Sequence, residues 1–265
     1  MRPELVVYPT AEDLGLALAT QIADGIEEAA ARGERYLLGC PGGRSPRTTY
    51  EALVDQVRAR DLDLRHLVIV MMDDYVIETS EGFVPVAGDA HYSVARFARE
   101  DIVNPLNAAS SARRGVSNDH VWFPDPQDPD RYDHVIRDAG GVDLFIIASG
   151  DSDGHVAFNP PGSDADSRTR IIELANTTRV DNTNTFPDFN SLDEVPRFGI
   201  SVGIATIREL SHRVVLVAPG DSKKMAVEKI SMCDSYDSAW PATVLSDCRN
   251  PSIYADRAAT TEAST

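Results

Sequence analysis

Short apolar runs constrain the fold of this chain more than any other feature. Runs of five or six residues rich in Val, Ile and Leu are typical of parallel strands that are buried on both faces. Helical patterns lie between them, so the alternation predicts an α/β fold in one domain over residues 1–265, with a mostly parallel sheet and helices on both faces. Four such runs stand out: residues 36–40, 67–72, 144–148 and 214–218.

Composition limits the partners and the location of the protein. Of its 265 residues, 42% are hydrophobic and 25% are charged, which is typical of a soluble globular protein. A net charge of −17 argues against nucleic-acid or anionic membrane surfaces, since both need clustered Lys and Arg. The N-terminus lacks a signal-peptide pattern, and the longest apolar run is far shorter than a membrane span, so we predict a cytoplasmic location. Three cysteines without a CxxC pair indicate neither a disulfide framework nor a zinc site.

A glycine-bearing loop over residues 41–46 joins the first apolar run to a helical pattern. Glycines at such a junction leave backbone N–H groups free, and the helix N-terminus adds partial positive charge, which together suit a phosphate. Arg44 can add a charge-assisted hydrogen bond. The loop lacks the ending of a nucleotide P-loop, and an ordinary tight turn is the alternative. Its candidate phosphate-binding residues are Gly42, Gly43, Arg44 and Ser45.

Two adjacent carboxylates, Asp73 and Asp74, end the second apolar run. Successive side chains of a strand point to opposite faces, so these two cannot share one face. We therefore expect one to face a ligand while the other caps the next element or binds backbone. An acidic boundary between strand and loop, without chemistry, is the alternative.

The third apolar run leads into a polar loop that carries Ser149, Asp151, Asp153 and His155. A carboxylate two residues before a histidine can hold one imidazole nitrogen while the other nitrogen faces a ligand, which is a general acid/base arrangement. A solvated surface turn is the alternative. Lys223 follows the fourth run, and because the carboxyl ends of parallel strands share one edge of a sheet, we expect it at the same edge as the other candidates.

The order and spacing of these motifs resemble the glucosamine-6-phosphate deaminase/isomerase family, which includes 6-phosphogluconolactonases as relatives. The resemblance rests on residues 41–46, Met-Asp-Asp-Tyr-Val at 72–76, Asp-Gly-His-Val-Ala-Phe-Asn at 153–159 and Gly-Asp-Ser-Lys at 220–223, and it covers nearly the whole chain. The motif at 72–76 favours the deaminases, because the lactonases more often place Asp-Glu-Arg there.

The resemblance implies a Rossmann-like fold and catalysis without metal or organic cofactor. It implies that Asp73 moves a proton between C1 and C2 of the opened sugar, and that His155, oriented by Asp153, serves ring opening. It also implies that the glycine loop and Lys223 hold the phosphate. The implied partner is a phosphorylated sugar, and the family commonly forms homo-oligomers.

Departures from the family pattern fall in the same motifs. Pro160 stands where the deaminases have a glutamate that completes the histidine relay, and Asn184 stands where they have a phosphate-clamping arginine. A family glycine is Asp151 here, whose carboxylate can replace the missing glutamate or repel a phosphate. A second family glycine is replaced by Arg44, whose side chain can restore the positive charge lost at Asn184. Asp74, Asp151 and Asn184 are thus the compensating or supporting candidates.

Three functions follow as hypotheses. The first is an aldose–ketose isomerase or deaminase that acts on a hexosamine or hexose phosphate, with Asp73 as base. The second is a hydrolase of a sugar-phosphate lactone, in which His155 activates water. The third is a catalytically silent sugar-phosphate-binding protein. Retention of Asp73, Asp153, His155 and Lys223 argues against the third, because binding alone needs no acid and base together.

Overall fold

The computed structural model describes residues 2–260, apart from the side chain of Asn184. Seven parallel strands form the main sheet in the order β1-β11-β10-β7-β2-β3-β6, which confirms the predicted fold class. The four apolar runs become its four central strands, β2, β3, β7 and β10. The strands of this sheet are β1 (Glu4–Tyr8), β2 (Tyr36–Cys40), β3 (Leu67–Met71), β6 (Val121–Trp122), β7 (Leu144–Ile147), β10 (Val214–Ala218) and β11 (Pro251–Asp256).

A second, antiparallel sheet was not predicted from the sequence. Its strand order is β5-β4-β9-β8, and its strands are β4 (Asp73–Thr79), β5 (Gly82–Pro85), β8 (Arg170–Glu173) and β9 (Phe198–Ser201). Only Met72 separates β3 from β4, so the chain passes directly from the parallel sheet into this one. Asp73 pairs with Ser201 at the first position of β4.

Helices cover the parallel sheet and build two apolar cores. One core packs mainly α1 and α2 against one face of the sheet, and the other packs α7, α8 and the turn at Pro241–Asp247 against the opposite face. None of the helices within residues 2–260 is long and apolar enough to span a membrane. The α-helices are α1 (Ala11–Arg32), α2 (Arg47–Arg60), α3 (Val94–Phe97), α4 (Asn104–Ala109), α5 (Pro129–Asp138), α6 (Asn176–Thr185), α7 (Ile204–Glu209) and α8 (Lys224–Met232).

Helix α1 shows why local sequence fixes these elements. Thr10 accepts a hydrogen bond from the N–H of Asp13 at the N-terminus, and Gly33 ends the helix in the left-handed region with φ of 69°. Leu14, Leu18 and other apolar residues at helical spacing are fully buried against the sheet.

Candidate active site

A cavity of about 560 Å³ lies at the carboxyl ends of the central strands. The loops after β2, β7 and β10 line it together with the junction between β3 and β4. The strand ends meet here because all four strands are parallel neighbours in the sheet. Eight sequence-predicted residues line this cavity: Gly42, Gly43, Arg44, Ser45, Asp73, Asp151, His155 and Lys223.

The two carboxylates at the end of β3 have different surroundings. Asp73 lines the cavity, although its residue is only 6% exposed, and its carboxylate accepts no hydrogen bond within residues 2–260. Asp74 instead accepts hydrogen bonds from the N–H groups of Tyr75 (2.8 Å) and Val94 (3.1 Å). It therefore anchors the start of α3 to β4 and does not line the cavity.

Burial dominates the protonation of this pair. Desolvation, and after it the charge of Asp74, raises the pKa of Asp73 to about 8. Desolvation also raises the pKa of Asp74 to about 6, against the backbone N–H groups that favour its ionised form. Asp73 thus binds a proton far more readily than an ordinary carboxylate, which suits a group that must take up and release protons near neutral pH.

Asp153 holds the ring of His155. The distance between the Asp153 carboxylate and Nδ1 is 2.8 Å, and the same oxygen accepts the backbone N–H of His155 at 3.1 Å. Nε2 makes no hydrogen bond within residues 2–260, and the ring lines the cavity. Burial raises the pKa of Asp153, but the hydrogen bond and charge of His155 and the Thr177 hydroxyl outweigh it and bring the pKa well below its usual range. The anionic carboxylate therefore fixes the imidazole for proton transfer at Nε2.

Two glycines make this arrangement possible. A Cβ on Gly150 would lie 2.3 Å from Nδ1 of His155, so only glycine leaves room for the histidine beside Asp153. Gly154 has φ of +67°, and a Cβ there would lie 2.2 Å from the Trp240 ring. The sequence around the motif is therefore fixed by close packing as well as by chemistry.

Lys223 and Asp151 form an ion pair inside the cavity. The Nζ atom of Lys223 also donates to the backbone carbonyl of Ser149 at 2.7 Å. Asp151 therefore forms no hydrogen bond with His155. Its carboxylate is instead paired with the lysine that the sequence assigns to the phosphate.

Helix α6 supplies a wall of the cavity that sequence reasoning missed. Its segment is polar and was not predicted as a helix, yet the cavity-facing residues are spaced at helical intervals: Thr178, Asp181, Asn182 and Thr185. Desolvation raises the pKa of Asp181, opposed by the charges of His155 and Lys223. Asn184 belongs to this helix, but its side chain lies outside the described part of the chain. Because nearly the whole segment is polar, this spacing does not stand out in the sequence, and no apolar stripe marks the helix.

A family model and proteins of known sequence match this chain over most of its length. A family model described as glucosamine-6-phosphate isomerases/6-phosphogluconolactonase matches residues 9–253. A glucosamine-6-phosphate deaminase of Mycolicibacterium smegmatis is 34% identical over 97% of this chain and 91% of its own length. One of Rhodococcus opacus is 33% identical over the same shares of the two chains.

Solved structures resemble the whole fold. A monomeric glucosamine-6-phosphate deaminase superimposes with a TM-score of 0.82 at 25% identity, over 97% of this chain and 98% of its own. A 6-phosphogluconolactonase from Leishmania guyanensis shares the fold, with a TM-score of 0.71 at 16% identity over 100% of both chains. The chain therefore belongs to the glucosamine-6-phosphate isomerase/6-phosphogluconolactonase family.

Proposed function

We propose that the protein is a glucosamine-6-phosphate deaminase-like enzyme that converts an opened hexosamine phosphate to a ketose phosphate and ammonia. The observation that carries the proposal is the buried carboxyl of Asp73, which lines the same cavity as the Asp153-oriented His155. A 1,2-proton shift needs one group that takes a proton from C2 and then gives a proton to C1. It also needs a separate acid/base at the sugar oxygens.

In the proposed reaction His155 first shuttles a proton from the sugar's C1 hydroxyl to the ring oxygen through Nε2, which opens the ring to the aldehyde. Asp73 then takes the C2 proton, and the C2–H electrons form a C1=C2 double bond as a proton moves from the substrate's C2 ammonium group to the aldehyde oxygen. Return of the proton from Asp73 to C1 leaves a protonated imine at C2. Water adds to this cation and the nitrogen leaves as ammonium, so that atoms and charge balance.

The raised pKa of Asp73 supports its proposed role as the group that both takes up and releases the proton. With a pKa of about 8, its carboxylate is a stronger base than an exposed aspartate, yet it can still release the proton to C1. The free N–H groups of the glycine loop and Arg44 lie on the wall of the same cavity, where they can bind the sugar's phosphate.

Solvent exchange tests the proposal directly. The protein is incubated in deuterated water with glucosamine 6-phosphate and a panel of hexose phosphates, and the C2 proton is followed by NMR while ammonia release is measured enzymatically. We expect loss of the C2 proton signal and ammonia release with wild type but not with Asp73→Asn. Asp63→Asn, outside the cavity, is the matched control and should retain turnover.

The alternative function gives a different result in the same experiment. Hydrolysis of a 6-phosphogluconolactone by the wild type, without C2 exchange in any sugar, would refute the deaminase proposal and favour the lactonase. The curated relatives named here are deaminases, which is the specific reason to place deamination first. Binding without either reaction would favour a silent binding protein.

The predicted cytoplasmic location and homo-oligomer stay predictions. The solved relative with a TM-score of 0.82 is monomeric. Light scattering coupled to size exclusion measures the subunit number of this chain, and one subunit per particle would contradict the predicted oligomer.

A further inference from the structure

The positively charged side chains of the cavity differ in whether they already form an ion pair. Among the described residues, three arginine or lysine side chains line it: Arg44, Arg47 and Lys223. Lys223 is paired with Asp151, and Arg47 lies 3.5 Å from Asp101. Within residues 2–260, the Arg44 side chain forms no ion pair or hydrogen bond, and it is exposed at the cavity rim.

Free donors of the cavity lie both in the loop that carries Arg44 and on α6, where the Asn182 amide and the Thr178 hydroxyl are buried without a hydrogen-bond partner among residues 2–260. Within the described chain, the backbone N–H groups of residues 42–45 donate to no other atom. The Thr48 hydroxyl, which also lines the cavity, is buried without a hydrogen-bond partner. Buried polar groups without partners are rare and destabilising, so this end of the cavity is short of an acceptor that a ligand can supply.

The ammonium group of Lys223 already has two partners within the described residues. The Lys223 side chain is only 13% exposed, and it is held by the Asp151 carboxylate and the Ser149 carbonyl. An anion that approaches Lys223 meets the negative charge of Asp151 at the same place. It must displace that carboxylate or be repelled by it, because the pair as a whole carries no net charge.

We infer that Asp151 is a specificity-determining residue that neutralises Lys223, so that the anionic group of the substrate is bound by Arg44 and the N–H groups of residues 42–45. Lys223 then adds no net attraction for the anion. The inference rests on the proposed function only in taking the substrate to carry an anionic group. It departs from what the resemblance implies, in which Lys223 holds the phosphate together with the glycine loop.

Titration calorimetry with inorganic phosphate at fixed ionic strength tests the inference without turnover. Arg44→Gln should raise the Kd for phosphate about tenfold or more, since a charge-assisted hydrogen bond is lost. Asp151→Asn should lower it about tenfold, because Lys223 is released for the ligand. The double variant Asp151→Asn/Lys223→Gln should stay within about threefold of wild type, because it removes a pair without net charge.

The control removes one negative charge away from the cavity. Asp193 is exposed and does not line the cavity, so Asp193→Asn should leave the phosphate Kd unchanged and thereby exclude a general effect of net charge. The KM for glucosamine 6-phosphate should follow the phosphate Kd across the variants while kcat changes little. A merely structural role of Asp151 would not produce this separation.

The inference is overturned if the double variant loses phosphate affinity as strongly as Arg44→Gln does, since Lys223 would then be the anchor. It is also overturned if Asp151→Asn gains no affinity or if phosphate binds to none of the variants. Asp151→Asn decides the question alone if the double variant does not fold. Failure of the proposed function would appear separately, as absent C2 exchange in variants that still bind phosphate.

Discussion

Replacing Asp73 with asparagine should stabilise the folded protein by an amount that grows as the pH rises from 4 to 8. Desolvation, followed by the charge of Asp74, raises the pKa of Asp73 from 3.8 to about 8 on folding. A group whose pKa is raised in the folded state favours folding fully below its unfolded pKa, and this contribution is lost as the pH rises through the folded pKa. Between these two pKa values, the free energy of unfolding of the wild type falls by about 1.4 kcal/mol for each unit of pH.

The expected size at neutral pH follows directly. Because pH 7 lies about three units above the unfolded pKa, the wild type should have lost about 4 kcal/mol of this contribution there. Asparagine is neutral at every pH, so the Asp73→Asn variant does not lose stability in this way. The difference in free energy of unfolding between Asp73→Asn and wild type should therefore rise by about 1.4 kcal/mol for each unit from pH 5 to pH 7.

Urea unfolding at pH 5, 6 and 7, followed by fluorescence and circular dichroism together, measures this difference. Asp63→Asn is the matched control. The hydrogen bond from Arg65 lowers the pKa of Asp63 to about 2, so this carboxyl is ionised in both states and the effect should be flat over the same range. A flat or falling difference for Asp73→Asn would refute the claim that the fold holds this carboxyl against its ionisation.

Two further variants probe the histidine motif. Asp153→Asn should lower kcat about a hundredfold or more with little change in KM, because the amide cannot hold the imidazole as the carboxylate does, and steady-state kinetics with the proposed substrate would check this. An unchanged kcat would remove Asp153 from the mechanism. Gly154→Ala should destabilise the fold by more than about 2 kcal/mol in thermal unfolding, because of its positive φ and the clash with Trp240. Gly162→Ala, with φ of +89°, should cost less, because an added Cβ there meets no atom of the described residues within 4 Å apart from its chain neighbours; equal losses would contradict the clash.

The sheet edge at which the cavity lies could be predicted from sequence, because its strands follow a simple hydrophobic pattern. A continuous apolar run marks a parallel strand, and the carboxyl ends of neighbouring parallel strands meet whatever the intervening sequence is. This places residues 41–46, Asp73, His155 and Lys223 at one edge without knowledge of any contact. The expectation that one member of the Asp73 and Asp74 pair binds backbone follows from strand geometry in the same way.

Other parts of the site depend on contacts that no local pattern records. Helix α6 contains several Thr and Asn residues, which are poor helix formers, so its local sequence does not predict a helix. The antiparallel sheet was missed because β4 follows β3 after a single residue, with no turn signal between them. The ion pair of Asp151 and Lys223 joins residues from two different loops, and sequence left open whether Asp151 would substitute for a glutamate or oppose a phosphate.

The position of Asp73 at the first residue of β4 has a mechanical consequence. Asp73 begins the small sheet and pairs there with Ser201, whereas His155 and Lys223 lie on loops of the large sheet. The Ser201 hydroxyl also accepts the backbone N–H of Phe158, on the loop that carries His155, at 3.1 Å. The distance between the base and the imidazole therefore depends on this one strand position, and a change at Ser201 acts on both groups while every catalytic side chain stays in place.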